Sequence, residues 1–119
     1  NVISRAAVSP AGNNSAYGAA KAGIWVASRS AAAETAGSGI LVNMLFPGMT
    51  NTSIWGRDMP GMQDPADVYP SARVVATLPD DGPTATVFYR GEPYTMFDAA
   101  NADQMKVDRA DVRRRRGDA

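Results

Sequence analysis

The stretch SAYGAAKAG, residues 15–23, places a tyrosine and a lysine four residues apart within a run of alanine and glycine. Four residues span roughly one turn of an α-helix, so Tyr17 and Lys21 leave the same face if this stretch is helical. The sequence from 16 to 36 favours a helix, because it is rich in alanine and contains no proline. Ser15 stands where the N-cap of such a helix is expected.

Two apolar segments flank the predicted helix. Residues 1–4, NVIS, are typical of the end of a buried strand, and residues 40–46, ILVNMLF, form a second apolar run. Gly37 and Gly39 separate the helix from this second run and suit a left-handed helix end. A short apolar run bounded by glycine and proline is typical of a strand covered on both faces, as in a parallel sheet.

The second half of the chain continues the alternation of elements. Residues 47–65 carry three prolines and three glycines and predict a long loop, a kind of segment that often binds a ligand. Residues 64–79 predict a helix that Pro70 kinks or restarts. Residues 84–98 predict a strand, or a hairpin that turns at Gly91. The order strand, helix, strand, loop, helix, strand predicts an α/β fold with parallel strands.

Composition narrows the classes of protein to which the chain can belong. Of 119 residues, 45% are apolar and 20% are charged, values typical of a globular domain. The formal net charge is zero, so no overall field attracts nucleic acid or a membrane surface. Because cysteine and histidine are absent, disulfides are excluded and no metal site is predicted. No apolar run approaches the roughly 20 residues of a membrane span, and a cytoplasmic location is expected.

Tyr17 and Lys21 can form a proton-transfer pair. A free phenol exchanges protons poorly at neutral pH, and an ammonium group within roughly 4–6 Å stabilises the phenolate. A tyrosine beside a lysine can then act as an acid or a base. Ser4 ends the first predicted strand, thirteen residues before Tyr17, and ligands of α/β sheets bind at strand ends. We therefore expect Ser4 and Tyr17 in one crevice, although an ordinary helix surface would carry the same Tyr-x-x-x-Lys spacing.

Taken with its neighbours, this pattern resembles the C-terminal half of a short-chain dehydrogenase/reductase. In that family a strand ends in a serine, as in NVIS at 1–4, and a Tyr-x-x-x-Lys helix follows, as in YGAAK at 17–21. Next come a strand ending in Pro-Gly, as in LVNMLFPG at 41–48, and a loop with a threonine, as in PGMTNT at 47–52. The likeness is strongest over residues 1–52. It implies a partial Rossmann-type, doubly wound parallel sheet that lacks its N-terminal strands.

The resemblance also implies an activity, that of an NAD(P)-dependent oxidoreductase interconverting an alcohol and a carbonyl compound. Tyr17 would exchange a proton with the substrate oxygen, Lys21 would favour the phenolate and bind the nicotinamide ribose, and Ser4 would orient the substrate oxygen. The residues expected to bind the cofactor are Tyr17, Lys21, Pro47, Gly48, Met49 and Thr52. The residues expected to bind the substrate are Ser4, Ser9, Pro10, Ala11, Ile54 and Trp55. Met59 and Met62 are expected to join Ile54 and Trp55 in an apolar pocket.

One element of a dinucleotide site is missing from the sequence. Pyrophosphate binding needs a glycine-rich turn between a strand and a helix, whereas the GSG at 37–39 lies between a helix and a strand. Residues 1–98 are therefore predicted to be the C-terminal, catalytic half of a larger Rossmann domain. The alternative is a truncated, catalytically incompetent fragment that acts only as an association module.

The last residues, 99–119, are polar and are predicted to form a disordered tail. The RRRR at 113–116 suits phosphate or nucleic acid, but neighbouring aspartates and the lack of aromatic residues favour a solvated tail. We expect a small-molecule alcohol or carbonyl substrate as the partner, with neither nucleic acid nor membrane.

The predicted first helix carries a ridge of small residues that suits close packing. Its members lie four residues apart: Ala19, Gly23, Ala27 and Ala31. Such a ridge allows another helix to approach closely, as in a homo-oligomer of the full-length protein. Packing of the same ridge against the chain's own sheet is the alternative.

Overall fold

A computed structural model describes residues 1–9 and 11–96 of the chain. Over these residues the fold is a small α/β arrangement of two α-helices and a three-stranded sheet, with short 3-10 helices between them. The predicted tail at 99–119 lies outside the described residues. None of the helices described is both long and apolar enough to cross a membrane.

Helix α1, Ser15–Glu34, confirms the helix predicted from the Tyr-x-x-x-Lys stretch. Its start differs by one residue, because Asn14 is the N-cap and Ser15 is the first helical residue. Asn14 makes no side-chain capping hydrogen bond, although asparagine is as strongly preferred at N-caps as serine. The C-cap is Thr35, whose hydroxyl donates to the carbonyl of Ala31 across 2.8 Å.

The sheet is mixed rather than wholly parallel. Strands β1, Met44–Phe46, and β2, Val87–Tyr89, pair in parallel, as predicted, and β3, Glu92–Tyr94, pairs antiparallel with β2. The predicted hairpin is confirmed. Its two turn residues, Arg90 and Gly91, have φ values of 51° and 80°, the left-handed pair that a tight two-residue hairpin turn requires.

The first two predicted strands are shorter than the sequence indicates. At the start of the chain, Val2 forms a single parallel bridge to Leu45. Upstream of β1, the side chain of Asn43 donates to the carbonyl of Pro83 and accepts from the amide of Thr86. These side-chain bonds replace part of the backbone ladder, so the regular strand begins only after Asn43.

The hydrophobic core joins the sheet to α1. Its buried members are Ile3, Met44, Phe46, Val87, Tyr89 and Met96, against which Val8, Ile24, Trp25 and Tyr94 pack. The rings of Phe46 and Tyr89 stack with centroids 4.9 Å apart, and Tyr94 meets Tyr89 edge-on at 5.3 Å. This cluster fixes the strand ends from which the candidate site is built.

The second helical segment forms in two pieces. A 3-10 helix, Pro65–Val68, is closed by a capping box in which Asp64 and Asp67 each accept an amide hydrogen bond. Helix α2, Tyr69–Ala76, follows with Pro70 in its first turn. The prediction that Pro70 restarts the helix is confirmed, because proline is tolerated in the first turn of a helix and disrupts its interior.

Candidate functional site

Ser4 lies directly after the segment that bridges to β1. It is the N-cap of a 3-10 helix, Arg5–Ala7, and its hydroxyl oxygen accepts a hydrogen bond from the amide of Ala6 across 3.2 Å. The side chain is half-buried. Because a hydroxyl has one donor and two lone pairs, the cap leaves the Ser4 O–H proton available to a substrate oxygen.

The first turn of α1 packs closely against this 3-10 helix. A Cβ atom on Gly18 would lie 3.1 Å from the carbonyl oxygen of Ala6, so the two backbones meet with no room for a side chain between them. Tyr17 immediately precedes Gly18, and Ala6 is two residues after Ser4. The close approach therefore brings the backbones that carry Ser4 and Tyr17 to the same part of the fold.

Lys21 connects α1 to the segment that precedes Ser4. Its ammonium Nζ donates to the carbonyl oxygen of Val2 across 3.1 Å and lies 5.8 Å from the centroid of the Tyr17 ring. An ammonium group has three donors, so one bond to Val2 leaves two for a ligand. Tyr17 is 47% exposed, and the described residues offer its hydroxyl no hydrogen bond.

The loop after β1 brings a second group of predicted residues to the sheet. Gly48 has a φ of +85°, and a Cβ there would lie 3.3 Å from the Tyr89 ring, so this position requires glycine for two reasons. Pro47 is half-buried and Met49 exposed. Thr52 is exposed and precedes a 3-10 helix, Ser53–Trp55, without making a side-chain capping bond.

The expected apolar pocket divides into two groups with different environments. Ile54 and Trp55 are exposed, at 82% and 42%, whereas Met59 and Met62 are buried at 4% and 9%. The expectation that all four line one pocket stays a prediction. The two methionines are buried, and long apolar side chains without branches suit an irregular interior.

Of the three residues after Ser4 that are predicted to bind the substrate, the structure describes two. Ser9 is half-buried, and its amide donates to the carbonyl of Arg5 across 3.0 Å. Ala11 is exposed, and Pro10 lies outside the described residues.

The small-residue ridge of α1 faces away from the chain's own core over most of its length. Ala19, Gly23 and Ala27 are exposed, and a Cβ on Gly23 would meet no atom within 4 Å. The buried face of α1 instead carries Ser28 and Ala32. Packing of the ridge against the chain's own sheet is therefore wrong for these three residues.

Sequence reasoning missed the polar residues that organise the loop after β1. Asn51, Asp58 and Gln63 make side-chain hydrogen bonds within the loop. The available signal was the length of the loop together with its amide side chains, since compact loops are packed by their own residues. Among the described residues, no group of three or more potential metal ligands occurs.

Comparison with known families gives one match. Residues 1–62 match the family model of the short chain dehydrogenases, which covers Ser4, Tyr17, Lys21 and the loop to Met62. The chain belongs to the short-chain dehydrogenase family. Comparisons with curated proteins and with solved structures gave no match. Short-chain dehydrogenases are oxidoreductases that generally use NAD(P), and the segment matched in this short-chain dehydrogenase contains every predicted catalytic residue.

Proposed function

We propose that this chain carries the catalytic half of an NAD(P)-dependent oxidoreductase that interconverts an alcohol and a carbonyl compound. Ser4, Tyr17 and Lys21 are the proposed catalytic residues. The observation that carries the proposal is the position of Lys21, whose Nζ lies 5.8 Å from the Tyr17 ring and bonds to Val2, two residues before Ser4. Family membership over residues 1–62 supports the same assignment.

The proposed chemistry is transfer of a proton to or from the substrate oxygen. In reduction, the Tyr17 hydroxyl donates its proton to the carbonyl oxygen as negative charge develops there, and in oxidation the phenolate accepts it. The Ser4 O–H donates a second hydrogen bond that orients the same oxygen. Lys21 would bind the nicotinamide ribose through the ammonium donors that its bond to Val2 leaves free. Bound NAD(P) supplies or accepts the hydride.

The residues of this chain fit the nicotinamide end of the cofactor. Lys21 retains two ammonium donors for ribose hydroxyls, and the Thr52 hydroxyl is not used in capping. Pro47, Gly48 and Met49 would border the ring, as membership of the family implies. The sequence contains no glycine-rich strand–turn–helix for the pyrophosphate, which we assign to a preceding half of the domain.

The sheet supports the idea that this chain is part of a larger Rossmann-type sheet. Val2 is 51% exposed, and among the described residues its only strand partner is Leu45. Among the described residues, no strand pairs with the other edge of residues 1–3, so a further strand can pair there. In the proposed whole protein, this edge continues into the strands that carry the glycine-rich turn, and the exposed ridge of α1 contacts a second subunit.

A second candidate function rests on the same open edge. The chain by itself would be a catalytically incompetent fragment that acts only by association, because an unpaired sheet edge binds other strands. The open edge at Val2 and the missing glycine-rich turn favour this candidate for the isolated polypeptide. The catalytic residues favour the oxidoreductase for the protein that contains both halves.

Substitution of Tyr17 tests the oxidoreductase in the polypeptide that includes the preceding half. Tyr17→Phe keeps the ring and removes the proton, so we expect turnover to fall by at least about a hundredfold, as for loss of a general acid. Cofactor binding, measured by NADPH and NADH fluorescence, should change little. Tyr69→Phe is the matched control, because Tyr69 is 66% exposed on α2 and has no proposed role. Unchanged turnover in Tyr17→Phe would exclude the assigned role.

A further inference from the structure

The loop after β1 is closed at its base by backbone pairing. Thr50 and Gln63 form a parallel bridge, in which the Asn51 amide donates to the Gln63 carbonyl across 2.9 Å. The Gln63 amide donates in turn to the Met49 carbonyl across 3.1 Å. The two ends of the segment from 49 to 63 are thus held side by side, as in a compact Ω-type loop.

The Gln63 side chain extends this closure toward the Pro-Gly turn. Its Nε2 donates to the carbonyl of Pro47 and to the hydroxyl oxygen of Thr50, the latter across 2.9 Å. Both acceptors belong to the segment proposed to border the nicotinamide. A single amide group therefore ties that segment to the far end of the loop.

The Asn51 side chain forms a second clamp across the middle of the loop. Its Nδ2 donates to Oδ1 of Asp58 across 2.7 Å, and its Oδ1 accepts from the Met59 amide across 3.0 Å. Both polar atoms of Asn51 are therefore satisfied by residues seven and eight positions later. The indole Nε1 of Trp55 adds a bond of 2.8 Å to the carbonyl of Thr50.

The Asn51 clamp borders a shallow depression on the loop surface that is largely open to solvent. Asn51 and Asp58 line this depression together with Thr52, which directly follows Asn51 in the chain. A change in the clamp would therefore move the Thr52 hydroxyl and the side of the depression together. Hydrogen bonds to a carboxylate are stronger than neutral ones, which makes the Asn51–Asp58 pair the main element of the clamp.

We infer that Asn51, Asp58 and Gln63 are positioning residues that hold the loop in one preformed shape and so present Thr52 to the nicotinamide end of the cofactor. They act through Thr52 and the Pro47–Thr50 segment and do not contact the reacting atoms. A preformed loop spares the entropy of ordering when the ligand binds. This inference rests on the proposed function for its ligand, but the closure of the loop can be measured without any ligand.

Exchange of the clamp residues tests the inference. Arg57 is exposed within the loop, so trypsin cleavage after Arg57 in the 119-residue chain reports how often the loop opens. The variants are Asn51→Asp, Asp58→Asn and the two combined, with Asp80→Asn in an exposed turn as the control. Each rate is divided by that of the same variant unfolded in urea, because Asp58 directly follows the cleaved bond.

The clamp predicts a specific order of cleavage rates. Asn51→Asp replaces the hydrogen bond by two carboxylates that repel each other. The loop should therefore open more often, and cleavage should rise roughly tenfold. Asp58→Asn keeps an acceptor for Asn51 but loses the charge, so cleavage should rise less than in Asn51→Asp. The combined variant restores a donor–acceptor pair with the roles exchanged, and its cleavage should return to within about twofold of the original rate. Equal rates for Asn51→Asp and the combined variant would overturn the clamp.

The same variants in the polypeptide with the cofactor half test the positioning role. We expect Asn51→Asp to raise the KM for the cofactor about fivefold while kcat changes less than twofold, and the combined variant to restore KM. A purely structural clamp would alter cleavage without this KM change, and that result would overturn the positioning role. If the unsubstituted polypeptide neither binds NAD(P) nor oxidises alcohols, the proposed function fails and the positioning role with it, while cleavage still decides whether the clamp exists.

Discussion

Gly18 in α1 and Ala6 in the preceding 3-10 helix are in backbone contact, with 3.1 Å between the carbonyl oxygen of Ala6 and the site of a Cβ on Gly18. This contact sets how far the first turn of α1 stands from Ser4. Gly23 lies one and a half turns further along the same helix and has no atom within 4 Å of the equivalent site. The two glycines therefore form a natural pair for measuring what the close approach contributes.

Alanine substitution should have opposite effects at these two glycines. Gly23→Ala should stabilise the chain by about 0.5–1 kcal/mol, because alanine loses less entropy than glycine in a helix. Gly18→Ala should destabilise it by about 1–2 kcal/mol, since the methyl group forces the Ala6 carbonyl away. Urea unfolding followed by circular dichroism gives both values. Equal effects of the two substitutions would contradict the close approach.

Two buried serines provide a second matched pair. Ser71 in α2 is 4% exposed, and its hydroxyl has no hydrogen-bond partner among the described residues. The Ser28 hydroxyl, 1% exposed, donates to the Ile24 carbonyl and accepts from the Asn1 side chain, both across 2.7 Å. Ser71→Ala should therefore stabilise the chain by about 1 kcal/mol, and Ser28→Ala should destabilise it by a similar amount. Denaturant midpoints measure both, and a destabilised Ser71→Ala would mean that this hydroxyl is paired.

Removal of the Lys21 charge should lower turnover strongly while it changes the free energy of unfolding only slightly. Lys21→Met keeps most of the side-chain length and loses an exposed hydrogen bond to Val2, so the unfolding free energy should fall by about 1 kcal/mol or less. Turnover in the polypeptide with both halves should fall at least about tenfold, because the ammonium donors proposed to hold the nicotinamide ribose are lost. Steady-state kinetics measures the turnover of each variant, and thermal unfolding measures its stability. Arg73→Met on α2 controls for loss of one exposed cation, and equal turnover in the two variants would refute the role of Lys21.

The 119-residue chain alone should bind NAD(P) weakly or not at all. Affinity for a dinucleotide comes largely from pyrophosphate at a glycine-rich helix start, and the sequence has no such turn. The nicotinamide-side hydrogen bonds contribute about 0.5–1.5 kcal/mol each, which the cost of association offsets. Calorimetry with NADH and NADPH tests this expectation. Micromolar binding by a monomer would show that the cofactor site is complete within this chain.

Periodic and compositional signals predicted most of the regular structure. The alanine-rich stretch predicted α1, and Gly91 between β-branched and aromatic residues predicted the hairpin, because both signals are local. The antiparallel partner of β2 made the sheet mixed, and the short β1 depended on side-chain bonds from Asn43 to residues forty or more positions away. Pairing at such a distance has no local signature in the sequence.

Spacing and resemblance identified some residues of the candidate site, but they did not predict the burial of others. Ser4, Tyr17 and Lys21 were identified by their spacing and by family resemblance, and their roles remain predictions. Met59 and Met62 were assigned to a pocket because apolar residues in a loop suit an apolar ligand. The burial of both methionines could not be predicted from the sequence, because it depends on how the loop closes on itself.

The hydrogen bond between Asn43 and Thr86 has a consequence for how fast the chain folds. Its partners are 43 positions apart, and the parallel pairings of Val2 with Leu45 and of Met44 with Val87 have similar separations. Closing a segment of this length costs chain entropy before any of these contacts forms. The backbone hydrogen bonds within helix α1 are all local, and such a helix can form within about a microsecond. The sheet should therefore limit the folding rate, and the chain should fold more slowly than a helical bundle of equal length.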